Sequence, residues 1–263
     1  MNDTPKYYNW TRYWVPRGTP FACGHSGNWF FSPGFGKTEC KTSELLNYKK
    51  LAVLLGDPGS GKSTEFQILT KAATASHTQV LSRRAAELGG SPSTSIPQTS
   101  QWKKHTKKGH DLALMIDGID EVLVSHPHFI DEIIGLVKGA SIHKLTVVLS
   151  LRAGSWDSSY EKELLNAFKA DAKDAVYEIC YLSQEDAALA YTQRTNQKHD
   201  EFFKWVHDRE LGSLARLPIY IDQLIDDFRD HPSNTFSIHD LRLRTVERLL
   251  LPASMRESQT TNL

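Results

Sequence analysis

The sequence has little of what marks secreted, membrane-spanning or strongly charged proteins. Its 263 residues include only three cysteines, too few for a disulfide framework, which is typical of proteins in a reducing compartment. No apolar run approaches about 18 residues, and the start of the chain, MNDTPKYYNW, has no apolar stretch of the kind found in signal peptides. The 31 basic and 31 acidic side chains cancel, so net charge does not favour nucleic acid or an anionic membrane as a partner. We therefore expect a cytoplasmic protein that does not bind membranes.

Residues 1–45 are rich in aromatic, glycine and proline residues, and they are too short and irregular to predict an independent domain. We expect this segment to be an arm packed on the domain that follows, because its aromatic side chains would otherwise be exposed. Cys23, His25 and Cys40 within it suggest a zinc site. Their spacing matches no paired C-x-x-C pattern and leaves a fourth ligand unspecified, so zinc is disfavoured.

The most informative stretch is LAVLLGDPGSGKST, from Leu51 to Thr64. Five apolar residues predict a buried strand, and GDPGSGKS then matches G-x-x-x-x-G-K-[ST], the phosphate-binding loop. Its glycines permit backbone angles that turn successive N–H groups inward as a nest for phosphate oxygens. Lys62 is predicted to contact the β- and γ-phosphates, and the Ser63 hydroxyl to ligate Mg²⁺. The residues predicted to bind the nucleotide here are Gly56, Asp57, Pro58, Gly59, Ser60, Gly61, Lys62, Ser63 and Thr64.

A second chemical element is LALMIDGIDE, which ends in three acidic residues at positions 117, 120 and 121. An apolar strand that ends in an acid is what a Walker B element requires, because Asp117 can then hold the Mg²⁺ shell beside the phosphates. Asp120 or Glu121 is predicted to orient and polarise an attacking water. A plain acidic turn is the alternative, and its position after a phosphate-binding loop favours the catalytic interpretation.

Strands that alternate with helices predict an α/β fold, a parallel sheet with helices on both faces, over residues 46–182. Arg152 follows a β-branched strand, at the edge where such sheets bind ligands, so it is a candidate to stabilise γ-phosphate charge. An ion pair with a surface carboxylate is the alternative. The other predicted elements are a helix over 62–75, a strand over 79–82, a loop over 89–100, a helix with the buried stripe Ile130, Ile133, Ile134 and Val137, and strands over 145–149 and 176–182.

Residues 183–255 follow a helical pattern throughout, which predicts a small bundle that could act as a lid over the nucleotide. Ser183 and Asp186 form a capping-box-like start, and Pro218 stands at a tolerated first helical position. The predicted apolar stripes are Ile221, Leu224, Ile225 and Phe228, and then Leu243, Val246, Leu249 and Leu250. Residues 256–263 are expected to be a frayed tail.

The stretch from Lys103 to Lys108, KKHTKK, is basic. A solvated helix or loop face is the favoured interpretation, because no aromatic residue beyond Trp102 is interleaved with the lysines. A nucleic-acid partner is therefore disfavoured, although this stretch is what motivates it as an alternative.

With these residues established, the chain resembles the NACHT branch of the STAND NTPases, relatives of AAA+ proteins and of NOD-like receptors. The resemblance covers about residues 48–250 and rests on GDPGSGKST, on DGIDE with Gly118 directly after Asp117, on Ser-Leu-Arg at 150–152 and on Leu-Pro at 217–218. It implies a five-stranded sheet of order 5-1-4-3-2. It also implies phosphate, Mg²⁺ and sensor roles for Lys62, Ser63, Asp117 and Arg152, and an adenine contact for Pro218. The aromatic arm is similar to the segment before the NTPase in bacterial antiviral STAND proteins.

The resemblance implies an ATPase: Mg²⁺-dependent ATP binding and slow hydrolysis that control a signalling or self-association switch, in defence. STAND proteins usually carry an effector before the NTPase and a winged helix with sensor repeats after it. This chain has room for neither, so we expect either a fragment or partner chains that supply both. An AAA+-like ATPase acting on nucleic acid or protein is one alternative, and a non-hydrolysing scaffold is another, which the presence of both Asp120 and Glu121 disfavours. The preference for ATP over GTP comes from the resemblance, with no guanine-reading N-K-x-D in the chain.

Overall fold

The computed structural model describes residues 8, 10–19, 30–31, 40–45, 50–76, 79–230, 239–241 and 243. The chain divides into two units. One, here called the sheet unit, comprises residues 11–22 and 33–180, and the other, the helical unit, comprises residues 1–10, 23–32 and 181–263. Cys23 and His25, considered for the disfavoured zinc site, and the predicted tail at 256–263 lie outside the described residues.

The sheet unit is built on seven strands in the order β2-β1-β7-β3-β6-β5-β4. Strands β3 to β7 run parallel to one another, and in chain order they lie 5-1-4-3-2, which confirms the predicted arrangement. The arm contributes two antiparallel strands, β1 and β2, beside β7, an extension of the sheet that the sequence analysis missed. The strands are β1 Tyr13–Pro16, β2 Cys40–Lys41, β3 Leu51–Leu55, β4 Gln79–Arg84, β5 Leu112–Asp117, β6 Leu145–Leu151 and β7 Val176–Ile179.

Helices cover both faces of this sheet, which explains why β3 and β5 are buried along their whole length and are apolar except for Asp117 at the end of β5. Alternate residues of β3 point to opposite faces. Leu51, Val53 and Leu55 pack in a core with the residues of α4, and Ala52 and Leu54 pack in a second core with those of α1. The helices of the unit are α1 Lys62–Ala75, α2 Pro92–Gln98, α3 Ser100–Lys108, α4 Phe129–Lys138 and α5 Ser158–Phe168. The predicted three-layer α/β fold is therefore confirmed.

The prediction of a loop over residues 89–100 is wrong, because these residues include the helix α2. Pro92 occupies the first turn, where its missing N–H costs nothing, and Ile96 is fully buried in the core that also holds residues of α4. The serine, threonine and proline content suggested a loop, whereas the burial of Ile96 decides in favour of a helix. Strand β7 also ends at Ile179, three residues before its predicted end.

The helical unit contains α6 Gln184–Thr195, α7 Asp200–Asp208, α8 Gly212–Ala215 and α9 Pro218–Asp230. The capping box at the start of α6 is confirmed, since the Asp186 N–H donates to the Ser183 hydroxyl at 3.1 Å. The stripe on α9 is confirmed as well, with Ile221, Leu224 and Ile225 buried. Of the second predicted stripe, Leu243 lies in a described helical position and is 50% exposed, and the other members lie outside the described residues.

Aromatic residues of the arm are divided between the two units. Trp14 is fully buried in the sheet unit, whereas Tyr8, Trp10 and Phe30 belong to the core of the helical unit. The Trp10 indole N–H donates to the Asp186 carbonyl at 2.9 Å, which fixes this part of the arm to α6. None of the helices in the described part combines the length and the hydropathy that crossing a bilayer requires.

Candidate functional site

The parallel sheet brings most of the predicted site residues to one edge, here called the carboxyl edge, where β3, β5 and β6 end. The loop of residues 56–61 follows β3, Asp117 closes β5, and Arg152 follows β6. The strand register sets these ends side by side, with Leu55 beside Leu151 and Ile116 beside Leu149. Ligand sites in open parallel sheets lie at this edge.

The loop after β3 has the backbone that a phosphate nest requires. Gly59 and Gly61 adopt left-handed φ angles of 77° and 90°, and Gly61 is the N-cap of α1. Gly56 has no space for a side chain, because a Cβ there would lie 2.5 Å from Ile179 and 3.0 Å from the Ser60 hydroxyl. The loop therefore passes closely over the start of α1, where the helix dipole favours an anion.

Lys62 holds its ammonium group over this loop. Its Nζ donates to the carbonyl oxygens of Gly56 at 2.5 Å and Asp57 at 3.1 Å. Burial lowers the pKa of Lys62 below its usual value, and the negative charges of Asp120, Asp117 and Asp57 oppose that shift. A cation thus stands between the loop and a group of carboxylates. Ser63 and Thr64, the next two predicted ligands, are exposed in the first turn of α1.

Asp117 is 9% exposed, and its Oδ1 has no hydrogen-bond partner among the described residues. A buried carboxylate oxygen without a donor is costly, and a cation or its water shell would satisfy it. Gly118 then reverses the chain with a φ of 70°, and a Cβ there would lie 3.2 Å from the Glu121 carboxyl carbon. Hydroxyl and carboxylate oxygens are the ligands that Mg²⁺ prefers, so Ser63 and Asp117 fit a magnesium site.

Asp120 and Glu121, which the sequence treats as equivalent candidates, differ in the structure. Asp120 pairs with Arg152, whose Nε lies 2.7 Å from Oδ2 and whose backbone N–H donates to Oδ1 at 3.0 Å. Both oxygens of Asp120 are therefore occupied. Glu121 is exposed, and its carboxylate stands one position further from the strand. The ion pair of Arg152, weighed as the alternative for this residue, is present, and its partner belongs to the site itself.

Arg12 is a site residue that the sequence analysis missed. Its side chain is 3% exposed, and Nη2 donates to the carbonyl of Ser60 in the phosphate loop at 3.0 Å and to that of Cys180 at 2.7 Å. Its signal in the sequence was a single cationic residue between Trp10 and Trp14, in an otherwise aromatic segment. Only the pairing of β1 with β7 reveals that this arginine reaches the loop.

A buried chain of hydrogen bonds joins the same segment to the first turn of α1. The Trp14 indole N–H donates to Thr42 Oγ1 at 2.9 Å, and that hydroxyl donates to Glu65 Oε2 at 2.6 Å. Pro218, the remaining predicted site residue, is the first residue of α9 in the helical unit. In the described part of the chain, His, Cys, Asp and Glu side chains form no group of three or more suited to hold a metal ion.

No protein-family model matches the chain, and no curated protein matches it. Among solved structures, it is similar to domain III of the Thermotoga maritima replication initiation protein DnaA, with 12% identity, a TM-score of 0.48, and coverage of 89% of this chain and 100% of that one. It is also similar to AMPPCP-bound DnaA from Aquifex aeolicus (13% identity, TM-score 0.41, 82% of this chain and 63% of that one). A third similar structure is the Aeropyrum pernix ORC1 protein in complex with DNA (11% identity, TM-score 0.42, 79% of this chain and 62% of that one). The chain spans less than two thirds of the latter two. Similarities this distant carry no information about function.

Proposed function

We propose that the protein binds ATP together with Mg²⁺ and hydrolyses it slowly, as a nucleotide-controlled switch. The observation that carries this proposal is the phosphate nest at the start of α1, with Lys62 held between it and the buried, unpartnered oxygen of Asp117. In a turn that binds no ligand, each of these features would lower the stability of the fold. Together they match the charge and geometry of a triphosphate with its metal ion.

The loop and Lys62 would bind the phosphates. Backbone N–H groups of Gly61, Lys62 and Ser63 would donate to phosphate oxygens, with the positive end of the α1 dipole behind them. Lys62 exchanges its bonds to the carbonyls of Gly56 and Asp57 for bonds to the β- and γ-phosphates. That exchange replaces neutral acceptors by charged ones, which makes each hydrogen bond stronger.

Ser63 and Asp117 would hold Mg²⁺. When bound there, the ion neutralises charge on the β- and γ-phosphate oxygens. Asp117 contributes by its burial at the end of β5, because a carboxylate fixed by a strand needs no reorganisation when the phosphates arrive.

Glu121 is our candidate for the residue that polarises the attacking water. Its carboxylate is exposed beside the loop end of β5, whereas both oxygens of Asp120 are bound to Arg152. Asp120 then acts as a positioning residue, which holds Arg152 at the carboxyl edge. From there the guanidinium can stabilise charge on the γ-phosphate.

The finer parts of the proposal rest on the NACHT resemblance, above all on the DGIDE form of the Walker B element. They are the choice of ATP over GTP, the contact of Pro218 with adenine, the lid role of residues 183–255, and a defence-signalling output through self-association or partner chains. In this proposal, closure around the triphosphate favours association, and hydrolysis reverses it.

A calorimetric titration with Mg²⁺-ATP tests the placement of the site. Lys62→Ala should weaken binding by about 10- to 150-fold, because a charge-assisted contact is worth about 1.5–3 kcal/mol. Lys71→Ala is the matched control, since it removes an exposed lysine from the same helix and should leave the affinity unchanged. Equal affinities for wild type and Lys62→Ala would place the nucleotide elsewhere.

A further inference from the structure

The parallel strands have a second edge, here called the amino edge, which is opposite the candidate site and where each strand begins. Here α3 ends three residues before β5 begins, and Lys144 directly precedes β6. The Lys144 ammonium donates to the carbonyl of Gly109, the C-cap of α3, at 2.8 Å. Lys103, Lys104, Lys107, Lys108 and Lys144 are all exposed, and we call them the basic face.

The helix that carries four of these lysines is held firmly. Thr99 caps its first turn, since the Trp102 N–H donates to the Thr99 hydroxyl at 3.3 Å. Trp102 and His105 are buried, and His105 Nδ1 hydrogen-bonds with the His110 carbonyl at 2.8 Å. The lysines recur at i, i+1, i+4 and i+5, so they share the outward face of a helix whose inward face is fixed.

No lysine of the basic face forms an ion pair within the described residues. Asp111, the acidic residue that follows α3, is exposed and does not pair with them either. Lys107 and Lys108 lie in the last turn of α3, where the helix dipole favours cations. That benefit does not extend to Lys103 and Lys104, so helix stability does not account for the whole set.

We propose that the basic face binds the phosphate backbone of duplex nucleic acid. Five unpaired cations in a chain of zero net charge are a local electrostatic footprint that a polyanion complements. Single strands require exposed aromatic rings for stacking, and membrane surfaces require apolar side chains that insert; α3 offers neither, because Trp102 is buried. Within the described part of the chain, the exposed large hydrophobic residues are Ile68, Val124 and Leu243, none of which belongs to α3.

Lysines of this kind contact phosphates as point charges and read no base edges, so binding should be independent of sequence and strongly dependent on salt. The interpretation favoured from the sequence, a solvated face, took into account only the stretch from Lys103 to Lys108. The structure adds Lys144 to this set and shows that none of the five lysines forms an ion pair with another described residue. This proposal does not rest on ATP binding, because the basic face and the candidate site lie at opposite edges of the sheet.

The test is fluorescence anisotropy with a labelled 30-base-pair DNA duplex of arbitrary sequence, titrated without nucleotide at several salt concentrations. For wild type, log K should fall with log salt with a slope of about −3 to −4, from about −0.9 for each neutralised phosphate. The variant K103Q/K104Q/K107Q/K108Q should lose at least about tenfold in affinity at low salt, and its slope should fall to about −1, because Lys144 is the one cation of the basic face that remains. The control K71Q/K162Q/K173Q/K198Q removes the same charge from exposed lysines elsewhere and should bind within about twofold of wild type.

Several results would overturn the proposal: no binding by wild type at low salt, equal losses in both variants, tighter binding to the corresponding single strand, or binding to anionic lipid vesicles in place of the duplex. ATP titrations of the same samples separate this question from the nucleotide site. If the α3 variant does not fold, the proposal is tested on the wild-type protein by measuring which lysines duplex DNA protects from chemical acetylation. The four α3 lysines should be protected by duplex DNA and Lys71 should not, and unprotected α3 lysines would contradict the proposal.

Discussion

At the carboxyl edge of the sheet, the carboxylates of Asp117 and Asp120 are mostly buried and a cation lies near them, whereas the lysines of the amino edge are exposed and form no ion pair within the described residues. Strand ends and the start of α1 fix the positions of the charged residues at the carboxyl edge. Lys62 contacts the loop, Asp120 pairs with Arg152, and Asp117 has a buried oxygen without a hydrogen-bond partner among the described residues. Within the described residues, the lysines of the basic face contact no carboxylate, and all five are exposed.

This difference predicts at which edge a single substitution should have a large effect on binding or turnover. In the group at the carboxyl edge each residue has a distinct position, so removing one leaves its neighbours unsatisfied and the effects are large and non-additive. At the amino edge each lysine contributes similarly to a long-range field, so the effects are small and graded. The predictions below test this contrast from the largest expected effect to the smallest.

Glu121→Gln should lower the rate of ATP turnover by about 10²–10⁴-fold, because the amide keeps the size of the side chain and removes the base. The affinity for ATP should be nearly unchanged, since Glu121 does not contact the phosphate loop in our assignment. The measurement is phosphate release in Mg²⁺-ATP alongside calorimetry, with light scattering to detect self-association of the ATP-bound state.

Glu87→Gln serves as the control for this experiment, since Glu87 is an exposed glutamate of the same unit outside the site. Normal hydrolysis by Glu121→Gln would assign the water-polarising role to another residue. If the wild-type protein does not hydrolyse ATP, the scaffold alternative would be correct.

The affinity for ATP should fall as the pH rises through the pKa of Lys62. Burial lowers this pKa from the usual 10.5, so the loss should begin at a lower pH than for an exposed lysine. The ammonium form binds the phosphates, hence affinity is retained below the pKa and decreases above it, by at most about tenfold per pH unit. Titrations from pH 7 to 10 check this expectation.

Proton uptake gives an independent measurement of the same effect. ATP favours the charged form of Lys62, so binding near its pKa should take up protons, which calorimetry in buffers of different ionisation enthalpy detects. Lys62→Met should abolish the uptake, and Lys71→Met, the exposed control, should retain it. Uptake that persists in Lys62→Met would assign the titration to another group.

Asp120→Asn and Arg152→Gln should each reduce turnover, and the double variant should be no worse than Arg152→Gln, because Asp120 acts through Arg152. In thermal unfolding the pair should show a coupling of about 0.5–1 kcal/mol, small because the arginine is 56% exposed. Independent, additive losses of turnover would contradict the positioning role of Asp120.

The phosphate loop and the strands beside it could be predicted because their signals lie in consecutive residues. A glycine at 61 that must adopt a left-handed angle, followed by Lys62 and the apolar stripe of α1, specifies a nest and a helix without knowledge of distant neighbours. The same holds for β5, whose apolar run ends at Asp117. Local steric and hydrophobic constraints determine these elements.

Other features depend on residues that are far apart in the chain and that only the packed sheet brings together. The sequence does not show that Asp120 would bind Arg152, 32 residues later, and thereby differ from Glu121. Nor does it show that Arg12 would reach Ser60 through the pairing of β1 with β7, or that Lys144 would join α3. Local sequence determines which backbone conformations are accessible, whereas the pairing of charges and of buried polar atoms depends on register and burial, which exist only after the strands have assembled.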